Sequence, residues 1–148
     1  MNETRAGRLG PRARRRARQL ALQALYQWQM GGQAADELCA QFSASTGFGK
    51  ADAAYFHELV QSIVAGCTRL ESRIGEYADR ELARIDPVER AILLIGLYEL
   101  EHRPDVPYRV VLDEAIELAR RFGAAGAHKY VNAVLDRAAG ALRPTERR

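Results

Sequence analysis

The sequence predicts an all-α protein, and three observations carry that prediction. Apolar residues recur at steps of three and four along most of the chain, the spacing that lines one face of a helix. Period-two alternation, the mark of a half-buried strand, is hard to find anywhere. Glycine and proline punctuate the periodic stretches at the places where helices stop and restart.

The elements follow in order. From Arg14 to Met30, the residues Ala17, Leu20, Ala21, Ala24, Leu25 and Trp28 form one stripe, and Gly31-Gly32 ends that helix. A short helix is expected around Ala34 to Phe42, then a Ser/Gly-rich loop from Ser43 to Gly49. Phe56, Leu59, Val60, Ile63, Val64, Cys67 and Leu70 mark a long third stripe. Its continuation through Ile74, Tyr77 and Leu82 is interrupted at Gly75, which leaves one helix or two. Asp86-Pro87-Val88-Glu89 is a helix start: Asp can cap, Pro suits the first helical position, and Glu can close a capping box. The helix it opens runs to about Arg103 and is apolar all round from Ala91 to Tyr98, so it belongs at the centre of the fold. After the turn at Arg103-Pro104-Asp105-Val106-Pro107, a further helix carries Val111, Ala115, Leu118, Ala119 and Phe122 and stops at Gly123. The last runs from Ala127 to Ala141, and residues 143–148 are expected to form a polar, mobile tail.

At 148 residues, 47% of them hydrophobic and 28% charged, the chain fits one globular domain. Its longest apolar run is less than half of the roughly 20 residues that cross a bilayer, so no membrane span is expected. The basic start is followed by no uninterrupted apolar stretch, which argues against a secretory signal and makes the cytoplasm the expected compartment. Cys39 and Cys67 lie outside any CxxC spacing and read as reduced structural thiols.

Charge is uneven. The net charge is +3, yet residues 1–18 carry seven arginines against one acid, a local +6 on a body of −3. Such a cluster points to a polyanion bound locally. A solvated tail without a partner accounts for the same composition equally well. Between Arg73 and Glu117 six basic residues face eleven acidic ones, a net −5 on which a basic protein could dock; ordinary solubility explains it as well.

The chemistry of an enzyme is hard to find. His57, His102 and His128 show no metal spacing, Gly47-Phe48-Gly49 lacks a dinucleotide fingerprint, and the GxxG string from Gly123 to Gly126 has no sheet to accompany it. The carboxylates Asp113 and Glu114, or Glu99 and Glu101, diverge on their helices. No catalytic residue, metal site or cofactor is therefore expected. Arg14, Arg15, Arg16 and Arg18 are more specific than a charge run because they merge into an amphipathic helix, which can offer several bidentate phosphate contacts at once. Rings for base stacking are available in Tyr77, Phe122 and Tyr130, although aromatic residues at helical spacing more often pack in a core.

Several strings then carry a resemblance. Arg14-Arg15-Arg16-Ala17-Arg18 running into Gln23-Ala24-Leu25-Tyr26-Gln27-Trp28 resembles the opening of the NusB family of bacterial transcription antitermination proteins. Val88-Glu89-Arg90-Ala91-Ile92-Leu93, Leu97-Tyr98-Glu99-Leu100, Asp105-Val106-Pro107-Tyr108-Arg109-Val110 and His128-Lys129-Tyr130-Val131-Asn132 followed by Val134-Leu135-Asp136 continue it in order, over about Arg14 to Pro144. The resemblance implies about seven helices in two small bundles packed crosswise. It also implies a protein without catalytic activity that binds the boxA element of ribosomal RNA leader transcripts. The implied partners are NusE, a ribosomal protein of the small subunit, and the RNA polymerase antitermination complex with other Nus factors. The RNA surface it implies is Arg14, Arg15, Arg16 and Arg18 with Tyr77, Phe122, Lys129, Tyr130 and Asn132. For NusE it implies Glu89 with its neighbours Asp86 and Arg90, and Tyr26. Relatives of this kind occur as monomers and as homodimers, and NusB-like domains also precede some ribosomal RNA methyltransferases, so a stand-alone RNA-binding domain of that lineage is the alternative. The segment Ala124 to Ala127 lacks the acidic and Ser residues frequent in relatives, Tyr130 stands where Phe is frequent, and Arg5, Arg8 and Arg12 match no family position.

Overall fold

The structure is a computed structural model that describes residues 2–147, with side chains from 10 to 146. Arg5 and Arg8 therefore lie outside the described side chains. Among the described residues every regular element is helical: α1 Asn2–Gly31, α2 Ala35–Ser43, α3 Ala53–Ala65, α4 Cys67–Tyr77, α5 Pro87–His102, α6 Tyr108–Phe122, α7 Ala127–Leu142 and α8 Pro144–Arg147, with 3-10 turns at Phe48–Lys50 and Leu82–Arg84. The all-α prediction holds. None of the described helices is long and apolar enough to cross a membrane. The chain divides into two compact units, Met1–Ala65 and Gly66–Arg148.

In the first unit, α1 is broken at Gly10, whose φ of 67° favours glycine, and resumes at Pro11. Ala17, Leu20, Ala21, Ala24 and Leu25 of α1 are buried, as are Phe56, Leu59, Val60 and Ile63 of α3 and Leu38, Cys39 and Phe42 of α2. Phe56 anchors this core, with Phe48 edge-on at 5.3 Å and Phe42 tilted at 5.9 Å. Gly32, with a φ of 69°, ends α1 where the glycine pair predicts a stop.

The long third stripe divides at a different place from the one expected. The break lies at Gly66, between α3 and α4, whereas Gly75 sits inside α4. Gly75 is exposed with open space around its Cα, so its lack of a side chain costs α4 no contact, while the apolar face continues through Leu70 and Ile74. The stripe's periodicity runs through Gly66 and hides the interruption.

In the second unit, α5 is the central helix, and every residue from Ala91 to Leu100 is buried. Helices α4, α6 and α7 pack against it. A Cβ at Gly96 would come within 2.6 Å of Leu135 Cδ1, so glycine is what lets α7 approach α5 this closely. Asp86 caps α5, accepting from the amides of Val88 at 2.8 Å and Glu89 at 3.4 Å.

In the polar C-terminal segment, Arg143 and Glu146 are hydrogen-bonded to the helices before them. Arg143 is buried, and its guanidinium donates to the carbonyls of Glu99, Leu100, Arg103 and Val106 at 2.9–3.1 Å. These lie at the end of α5 and the turn after it, where the Glu99 and Arg103 carbonyls also accept from the Arg103 and Val106 amides at 3.0 Å. Glu146 pairs with Arg143 at 2.7 Å and accepts from the Tyr108 amide at 2.9 Å, at the start of α6. One arginine and one glutamate thus finish two helix ends that sequence polarity alone does not reveal.

Candidate nucleic-acid interface

The arginine segment of α1 is held by the approach to α3. Asp52 caps α3 by accepting from the Tyr55 amide at 3.1 Å, and its own amide donates to the Ala13 carbonyl at 3.0 Å. Its carboxylate also faces Arg14 Nε at 3.9 Å. The buried Tyr55 ring lies under two guanidinium groups, Arg14 at 4.2 Å and Arg18 at 5.5 Å. Arg16 donates to Gln19 Oε1 at 3.2 Å.

These contacts sort the four arginines expected to meet RNA. Arg15 is exposed, Arg14 and Arg16 are half-buried, and Arg18 is only 3% exposed. Arg18 sits on the α1 face that packs toward Tyr55, so its guanidinium is committed to the interior of this unit. The other three arginines keep a solvent-facing part, and Arg12, one turn earlier, is exposed as well.

In the second unit, Lys129 and Asn132 are exposed on one side of α7, three residues apart. Tyr130 is half-buried between them in sequence, and its hydroxyl is buried with no hydrogen-bond partner. The Arg80 guanidinium lies over the Tyr130 ring at 3.9 Å, so one face of that ring is already covered. Phe122 is half-buried with Arg121 over its ring at 5.4 Å. Tyr77 is half-buried at the end of α4, where its carbonyl accepts from Arg137 Nε at 2.8 Å.

The residues expected to face a protein partner also separate. Tyr26 is exposed on α1, one turn before the exposed Met30. Asp86 is exposed and occupied in capping. Glu89 is 8% exposed, with Oε2 3.8 Å from Arg80 Nη1. Burial pushes its carboxyl above the ordinary range; Arg80 opposes that and Asp86 adds to it. Arg90 pairs with Glu71 of α4. The acidic middle is thinned by such internal use: Glu89, Glu99 and Glu114 are buried, and Glu101 faces both Arg69 and Arg73 at 3.3 Å.

Sequence reasoning passed over three residues that shape these surfaces. Asp52 carried a readable signal, an aspartate just before an apolar-periodic helix. Tyr55 and Arg80 carried none, because a cation above a ring is a tertiary contact without a sequence spacing.

Three comparisons with known proteins agree. Residues 15–140 match the family model described as the NusB family. The Transcription antitermination protein NusB of Xylella fastidiosa (strain 9a5c) is 48% identical over 136 residues, covering 92% of this chain and 87% of the relative. That of Alcanivorax borkumensis is 48% identical over 136 residues, covering 92% and 91%. Among solved structures, T. maritima NusB superposes with a TM-score of 0.77 at 30% identity, covering 93% of this chain and 96% of that one. A match over nearly the whole chain, in sequence and in helical arrangement, places this protein in the NusB family.

Proposed function

We propose that this protein is a non-enzymatic, RNA-binding transcription antitermination factor of the cytoplasm. On this reading it binds the boxA element of ribosomal RNA leader transcripts together with NusE and, with other Nus factors, promotes read-through by RNA polymerase. The observation that carries the reading is the arginine segment of α1, a run of guanidinium groups fixed on one rigid helix by Asp52 and Tyr55 within a chain of this family. Arg14, Arg15 and Arg16 supply phosphate contacts, and Arg18 supports them from beneath. Lys129, Tyr130 and Asn132, with Tyr77 and Phe122, form the part of the RNA surface that belongs to the second unit. Tyr26, Asp86, Glu89 and Arg90 serve the NusE contact, in which Tyr26 and Asp86 present exposed groups to a basic protein.

The relatives that the chain matches are covered almost end to end and are themselves named antitermination proteins, which favours this reading over a methyltransferase-linked domain. A titration with boxA RNA and a scrambled control, each with and without NusE, tests it. Preferential binding of boxA, strengthened by NusE, is expected; equal affinity for both RNAs under both conditions would contradict it.

A further inference from the structure

Arg80 belongs to no motif, yet it is the residue that joins the two sets of candidates in the second unit. Its guanidinium carbon lies over the Tyr130 ring, 3.9 Å from its centre, a close cation–π contact. Its Nη1 faces Glu89 Oε2 at 3.8 Å, and the Glu89 side chain is buried to nine-tenths while that of Arg80 stays 46% exposed. The Tyr130 hydroxyl is buried, so the ring is embedded by its polar end and offers its face. Arg80 covers that face. A base therefore does not meet the covered face of Tyr130 directly.

We propose that a base of single-stranded RNA stacks on the outer face of the Arg80 guanidinium, with Tyr130 backing the inner face and Glu89 positioning the group from its edge. A guanidinium is planar and weakly hydrated, and bases stack on arginine planes as they do on aromatic rings. Backing by Tyr130 and the contact with Glu89 reduce the rotamer freedom that a long, exposed side chain would otherwise lose on binding. The exposed Lys129 and Asn132 lie on the same helix as Tyr130 and give the flanking nucleotides polar groups to meet. This inference rests on the RNA-binding reading and moves its stacking contact from Tyr130 to Arg80.

The test uses the full chain and a single-stranded RNA oligonucleotide containing boxA. Arg80→Ala and Arg80→Lys are both expected to weaken binding, by roughly ten-fold, and Arg80→Lys with little change in salt dependence, because lysine keeps the charge and loses the plane. Glu89→Gln is expected to weaken binding less, and to add nothing in the Arg80→Ala background, as a positioning residue would. Wild-type affinity of Arg80→Lys reduces the contact to charge alone and overturns the proposal, as does wild-type affinity of Arg80→Ala. Should Arg80→Ala unfold, Arg80→Lys decides alone, since it retains the aliphatic stem and the charge facing Glu89. Arg15→Ala reports on the underlying reading separately: a salt slope unchanged in that variant counts against RNA binding through α1, whatever Arg80 does.

Discussion

In the first unit a tyrosine ring that is 2% exposed is roofed by two guanidinium groups; in the second, a half-buried ring carries one guanidinium whose side chain stays 46% exposed. The contact chemistry is the same, and burial of the ring decides what it does. Over Tyr55 the buried Arg18 seals a core, and the half-buried Arg14 is held beside it. Over Tyr130 the arginine remains a surface with one covered face and one open one. Arginine on tyrosine is thus a packing device in one place and a recognition platform in the other.

The comparison breaks most visibly at the two rings. Tyr55→Ala should cost about 3 to 5 kcal/mol of stability, as aromatic truncations in cores do, whereas Tyr130→Ala should cost only about 1 kcal/mol for a ring already partly in water. Chemical denaturation of both variants checks this, and equal losses would erase the distinction. Next in size are the arginines. Arg18→Ala should lower stability by about 2 kcal/mol through lost packing and leave the salt dependence of RNA binding unchanged. Arg15→Ala should do the reverse, with stability altered by less than about 0.5 kcal/mol. Smaller again is Tyr130→Phe, which removes a buried hydroxyl without a partner and should be neutral or stabilising by about 1 kcal/mol. A marked destabilisation would show that the hydroxyl is hydrogen-bonded after all.

The smallest effect is a contrast in pH dependence between two carboxylates. Glu89 has a folded-state pKa raised chiefly by burial, so the folded protein binds its proton more tightly than the unfolded chain. Its contribution is most favourable below the unfolded value near 4.5 and declines as pH rises through the higher folded value. Glu146 is shifted down, first by the Tyr108 amide, which with Arg143 outweighs the opposing effect of burial. Its contribution is present above 4.5 and lost as pH falls through the lower folded value. Relative to wild type, Glu89→Gln should therefore gain stability as pH rises above 4.5, whereas Glu146→Gln should lose it as pH rises toward 4.5, in melting profiles against pH. Differences of the same sign above 4.5 would contradict the assignment.

Much of the fold was legible because periodicity and punctuation are local. The Asp86 cap, the all-apolar α5 and the stop at Gly31-Gly32 all lie in contiguous residues whose physics needs no distant partner. Legibility failed where the deciding partner is remote in sequence. Gly66 interrupts an apolar stripe that continues past it, and Arg143 finds its carbonyls about forty residues upstream. The site divides in the same way. A run of arginines announces itself, but burial against α3 is what separates Arg18 from its neighbours, and nothing in the sequence places Arg80 over Tyr130.

The most direct test is the salt dependence of boxA RNA binding. If Arg14, Arg15 and Arg16 each meet a phosphate, log K should fall against log salt with a slope contribution of about −0.7 per arginine, or about −2 for the three. Replacing Arg15 and Arg16 together by Ala should reduce the magnitude of the slope by about 1.4, while Arg18→Ala leaves it as in wild type. A slope unchanged by the double replacement would mean that the arginine segment of α1 is not the phosphate-binding surface.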